Sequence, residues 1–125
     1  MAEPKNLFDA FDSLTFKSDR TPESTDMDQA FCRLAPYRDG AVFLAHWAGN
    51  SQWEVHHSGD ELVMVVEGST KLTMLVDGEE VSHELQPGQL MVVPQSTWHR
   101  LDTEAEVKLL TVTPQPTEHS IPRPE

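Results

Sequence analysis

The chain is poor in cysteine, in positive charge and in long apolar runs, and each shortage excludes a class of protein. Cys32 is the single cysteine among 125 residues, so neither an intramolecular disulfide nor a thiolate zinc site can form. A reducing cytoplasm is the expected home. Nine Lys plus Arg stand against 21 Asp plus Glu, a formal charge of -12, which repels phosphate backbones and anionic headgroups. The expected partner is a small molecule, with no role for nucleic acid or a membrane surface. No apolar stretch approaches the roughly 20 residues that cross a bilayer. Residues 1–12 lack the basic start and apolar stretch of a secretion signal. Tyrosine occurs once, at Tyr37, and the length suits one compact domain rather than two.

What is present falls into three segments. Residues 1–28 hold one apolar cluster, Leu7, Phe8, Phe11 and Leu14, whose three- and four-residue spacing predicts a short amphipathic helix. Its phenylalanines need cover, so the segment is read as an N-terminal arm lying on the main body or on a second subunit. Residues 29–113 form the expected barrel, and residues 114–125, with Pro114, Pro116, Pro122 and Pro124, an extended tail outside the sheet. Within the barrel, nine β-type runs are predicted, at 30–34, 41–47, 52–57, 61–66, 70–76, 79–85, 90–93, 97–101 and 106–112. Turn residues separate them. Asp77-Gly78 is the strongest break, because a two-residue type I′ turn needs positive φ at both central positions. The fold class that follows is all-β, a sandwich or barrel.

The densest chemistry lies in Trp53-Glu54-Val55-His56-His57-Ser58-Gly59-Asp60-Glu61. Strand side chains at i and i+2 share a face, so Glu54 and His56 point one way, Val55 and His57 the other. After the Gly59-Asp60 turn, Glu61 returns beside His56 if the two strands pair. His99 is the fourth candidate, entering a strand after the turn at Pro94. Bland readings apply to the remaining histidines. His57 belongs at the surface; His46 and His83 share the alternation of apolar neighbours and face inward as core residues; His119 is solvated in the tail. Trp47, Trp53 and Trp98 are expected to pack between sheets or subunits rather than line a pocket, and Met64, Met74 and Met91 to be core.

Two motifs resemble those of the cupin family, small double-stranded β-helix proteins. Gly49, His56 or His57, Glu61 and Gly68 match the first motif; Gly88, Pro94 and His99 match the second. They lie in order over 49–103, about half the chain. The resemblance implies a cupin-type jelly roll, a homodimer in which the arm or an edge strand covers the neighbour, and a metal held by Glu54, His56, Glu61 and His99. The first His of the family's H-x-H pair is replaced, by Glu54 if His56 is the second His, or by Val55 if it is His57. The first register is preferred because it puts two ligating side chains on one strand face. Ser96 and Thr103 stand where the family has Gly and Asn.

Two imidazoles and two carboxylates without thiolate suit Fe, Mn, Zn or Ni as the divalent ion. The expected function is therefore a metal-binding protein acting on a small polar metabolite, as a dioxygenase-like or isomerase/lyase-like enzyme with Glu54 as catalytic base. A metal-free binding or sensing module for a sugar-like ligand is the alternative. A metal-free epimerase using His56 or His99 ranks last, since Tyr37 is the single tyrosine and no obvious Tyr acid accompanies the His base.

Overall fold

In the computed structural model, which describes residues 2–125, ten strands, the first of them in the arm after a short helix, roll into one continuous all-β sheet, a jelly roll. Helix α1 (Leu7–Asp12) begins where the Asn6 side chain accepts a hydrogen bond from the Asp9 amide at 3.0 Å, satisfying one of the donors a helix start leaves open. Phe11 is buried against this chain's own barrel beneath Lys108, whereas Phe8 remains exposed. The arm continues into strand β1 (Lys17–Arg20), which pairs in parallel with β3 (Gly40–Asn50). That strand lies in the arm, where the sequence predicts only a helix.

Gly49 permits the pairing. Its φ is +116°, and a Cβ there would meet the Arg20 carbonyl oxygen at 2.1 Å. Only a residue without a side chain lets the arm come this close.

Strand β2 (Phe31–Tyr37) pairs antiparallel with β3, and β4 (Trp53–His56) and β5 (Glu61–Gly68) follow. β6 (Thr70–Val76) and β7 (Glu79–Leu85) form the expected hairpin, with Asp77 at φ 52° and Gly78 at φ 79°. Almost all of β7 is exposed, including His83, which corrects the inward reading of that histidine. β7 pairs only with β6, so the apolar alternation around His83 finds no second layer to face. β8 (Leu90–Val93) pairs with β5.

The two runs expected at 97–101 and 106–112 are one strand, β9 (His99–Pro114), which bonds to β3, β4, β5 and β6. One long strand serves both halves of the roll. The C-terminal segment is not wholly outside the sheet: β10 (Thr117–Ser120) pairs antiparallel with β4 in register, Thr117 opposite His56 and His119 opposite Glu54. The four prolines flank this run and leave its backbone donors intact.

The core lies where β3, β5, β6 and β9 face one another. Trp47, Val65, Leu72 and Val107 are wholly buried there, each worth ~1.5–3 kcal/mol of apolar transfer for the aliphatic residues. Met74 belongs to this core and Met91 packs against it, while Met64 is half-buried.

Candidate functional site

The site is built from β4, β5, β9 and β10. On β4 the strand alternation places Glu54 and His56 toward the interior of the roll, His56 buried and Glu54 half-buried. His57 is exposed, where its Nδ1 meets Ser96 Oγ at 2.9 Å and its Nε2 lies 3.4 Å from Glu118. The first register is therefore the one the fold adopts for facing. β9 brings His99 opposite Glu54 in the ladder, and the His56 and His99 rings stand 5.3 Å apart between centroids.

Glu61 reaches the same point by a different path from the one the sequence suggested. β4 and β5 do not pair with each other; Ser58-Gly59-Asp60 carries the chain across to a strand that bonds with β8 and β9. Even so, Glu61 Oε1 lies 2.9 Å from His99 Nε2 and 3.4 Å from His56 Nε2. Its other oxygen accepts a hydrogen bond from Thr113 Oγ1 at 2.6 Å. That bond turns Oε1 toward the imidazoles.

Each buried imidazole is oriented from behind. His99 Nδ1 faces the Thr97 carbonyl at 3.0 Å, and His56 Nδ1 faces Thr117 Oγ1 at 2.9 Å. The carbonyl can only accept, so Nδ1 of His99 carries the proton and Nε2 keeps a lone pair in the neutral ring. Both Nε2 atoms are buried without an in-line hydrogen bond, since the Glu61 oxygen, though near, lies off their axes. Glu54, His56 and His99 each offer a ligand atom within 4.8 Å of the other two. This donor set, two imidazole nitrogens aimed at a shared point with carboxylates beside it, fits a divalent ion of borderline hardness.

Electrostatics agree with a site short of positive charge. Burial alone pushes the Glu61 carboxyl up, but the adjoining His56 and His99 outweigh it and hold it at about 2. Burial pushes His99 down while the Glu61 carboxylate pulls it up, and the net direction is upward.

The residues missed from sequence are Thr117, His119 and Arg20. His119, expected to be solvated, lies 3.0 Å from Glu54 Oε2, a contact that raises its pKa against partial burial. Thr117-Glu118-His119-Ser120 contains no apolar residue, so it carries no alternation signal. Trp47, expected to pack between layers, is buried yet lines the cavity in front of the site; Trp53 is buried with Arg100 over its ring at 5.0 Å, and Trp98 is half-buried. His46 sits beside Glu106 and the Phe16 ring, away from the cluster. Tyr37 does not border the cavity.

A family model described as Cupin domain matches residues 43–113. Among solved structures, the chain is similar to a cupin-2 domain containing protein from Shewanella frigidimarina, at 22% identity over 89% of this chain and 94% of that one, with a TM-score of 0.67. A protein from Neisseria meningitidis matches at 24% identity over 94% and 100% of the two chains, with a TM-score of 0.62. A hydroquinone 1,2-dioxygenase in complex with Cd2+ and 4-hydroxybenzonitrile matches at 16% identity over 66% of this chain and 62% of its own, with a TM-score of 0.59. At these identities the likeness concerns the fold. No curated protein matches the sequence.

Proposed function

The chain belongs to the cupin domain family, and from that premise we propose that it binds a divalent transition metal through His56, His99, Glu54 and Glu61 and acts as an enzyme on a small polar metabolite. The observation that carries the reading is the pair of buried imidazole nitrogens, both without an in-line partner and both within 3.4 Å of one carboxylate oxygen. Buried polar atoms are ordinarily bonded. Two histidines whose remaining nitrogens are fixed by Thr97 and Thr117 have the arrangement of metal ligands held from behind. The dioxygenase neighbour with a bound divalent cation supports the same chemical class.

The chemistry such an ion supplies when bound is Lewis-acid polarisation of a substrate oxygen. The chain's own groups do the rest. Glu54 borders the cavity and is half-buried, which gives it access both to a bound molecule and to His119. Released from the metal, it is the base of the site: it accepts a proton from substrate, and the His119 contact at 3.0 Å steadies the carboxylate between turnovers. Thr113 keeps Glu61 directed inward, and the apolar walls at Val63 and Leu109 keep bulk water away.

The test is metal content. Protein purified without a metal-affinity tag is analysed for Fe, Mn, Zn and Ni, then titrated with each. One ion per chain is expected, lost to below a tenth in H99A and retained in H57A. His99 comes from a different strand than the other ligands, so its effect reports convergence in space. Wild-type protein that contains no metal and gains none overturns the reading and leaves a metal-free small-ligand module.

A further inference from the structure

Arg20 has no part in the chemistry above, yet it stands in the same cavity. The cavity measures about 300 Å³ and is bordered by Arg20, Phe31, Trp47, Glu54, His56 and Glu61, among others. Arg20 supplies its single Lys or Arg. The guanidinium carbon lies over two aromatic rings, 4.5 Å from the Trp47 centroid and 5.3 Å from that of Phe31. Its backbone is fixed by the Gly49 contact described above.

A cation so placed ordinarily has an acceptor. Among the described residues Arg20 makes no ion pair and no side-chain hydrogen bond; Glu54 acts on it only through its field, and burial lowers its pKa. Trp47, on the same wall, has a buried indole N–H that also lacks a partner. The cavity therefore holds a guanidinium without an acceptor, in a space that Glu54 and Glu61 also border. A ligand with acceptor oxygens at one end supplies that acceptor. The apolar wall formed by Phe43, Val63 and Leu109 completes its body.

We propose that Arg20 is the recognition residue for the carboxylate of a small monocarboxylic acid with an apolar body, held in the cavity in front of the His56–His99 cluster. The planar fork of a guanidinium matches a carboxylate in two parallel hydrogen bonds, and its place over the Trp47 and Phe31 rings fixes the fork before the ligand arrives. A dianion such as phosphate is disfavoured by Glu54 and Glu61, which border the same space. The assignment rests on the functional reading above in taking the cavity as a substrate site, but not on the metal.

The probes are benzoate, its neutral isostere benzamide and inorganic phosphate, titrated calorimetrically into full-length protein, both chelator-treated and loaded with Mn(II). Benzoate is expected to bind at least tenfold more tightly than benzamide or phosphate. R20M, which keeps an unbranched apolar stem, should weaken benzoate at least tenfold and leave benzamide unchanged, and R20K should recover part of the loss. Equal affinity for benzoate and benzamide in wild-type protein overturns the proposal without recourse to any variant. So does phosphate binding as tightly as benzoate, or unchanged benzoate binding in folded R20M. If benzoate binding depends on Arg20 while no metal binds, the metal reading fails and this one stands; if metal binds and benzoate does not, the reverse holds.

Discussion

Thr117 Oγ1 lies 2.9 Å from His56 Nδ1, so a strand from the proline-rich end of the chain orients an imidazole in the middle of the barrel. The pairing of β10 with β4 puts the two residues directly opposite. Partners behind a ligating histidine fix its ring and tautomer, and their loss typically costs ~10–100-fold in metal affinity. T117V keeps the shape and removes the oxygen. It should weaken metal binding about tenfold with little change in thermal stability, as read by competition with a metal indicator. Unchanged affinity would show that packing alone orients His56.

The Asp77-Gly78 turn supplies a test of the fold rather than the site. Both residues have positive φ, and no atom lies within 4 Å of a Cβ built on Gly78. A loss there reports backbone strain, not collision. Left-handed backbone costs an ordinary residue ~1–2 kcal/mol, more for a β-branched one. Replacing both by Val should lower stability by about 2–4 kcal/mol in denaturant titration, whereas D77N should be nearly neutral.

Phe11 measures how firmly the arm is bound. It is 3% exposed although it lies on a helix of six residues, too short to persist unless packed. F11A should destabilise the protein by about 3 kcal/mol. Because β1 follows the helix and carries Arg20, freeing the arm should also make residues 17–20 accessible to limited proteolysis.

In chelator-treated protein the Glu61–His99 contact should appear in the pH dependence of stability. Glu61 is held at about 2 against an ordinary 4.5, so its contribution is present above 4.5 and is lost as pH falls toward 2. His99 is raised from 6.5, so its contribution is complete below 6.5 and is lost as pH rises through the raised value. The difference in melting temperature between wild type and E61Q should therefore be greatest between about pH 4.5 and 6.5. A difference that keeps growing above that window would contradict the assignment.

The primary structure by itself determined the all-β class, because alternation and turn chemistry are local: each of the runs from 61–66 to 90–93 overlaps a strand, and Asp77-Gly78 turns as its φ preferences require. It also determined the facing of Glu54 and His56 against His57, since the two-residue period of a strand fixes which side chains share a side. Tertiary structure decided what local rules do not reach. Thr117 and His119 enter the site because β10 finds an unpaired edge on β4, a matter of long-range backbone pairing with no apolar pattern to announce it. Arg20 enters because Gly49 lacks a side chain that would hold the arm away. Glu61 meets His99 although its strand does not pair with β4, because β9 crosses both halves of the roll and draws β4 and β5 onto one axis.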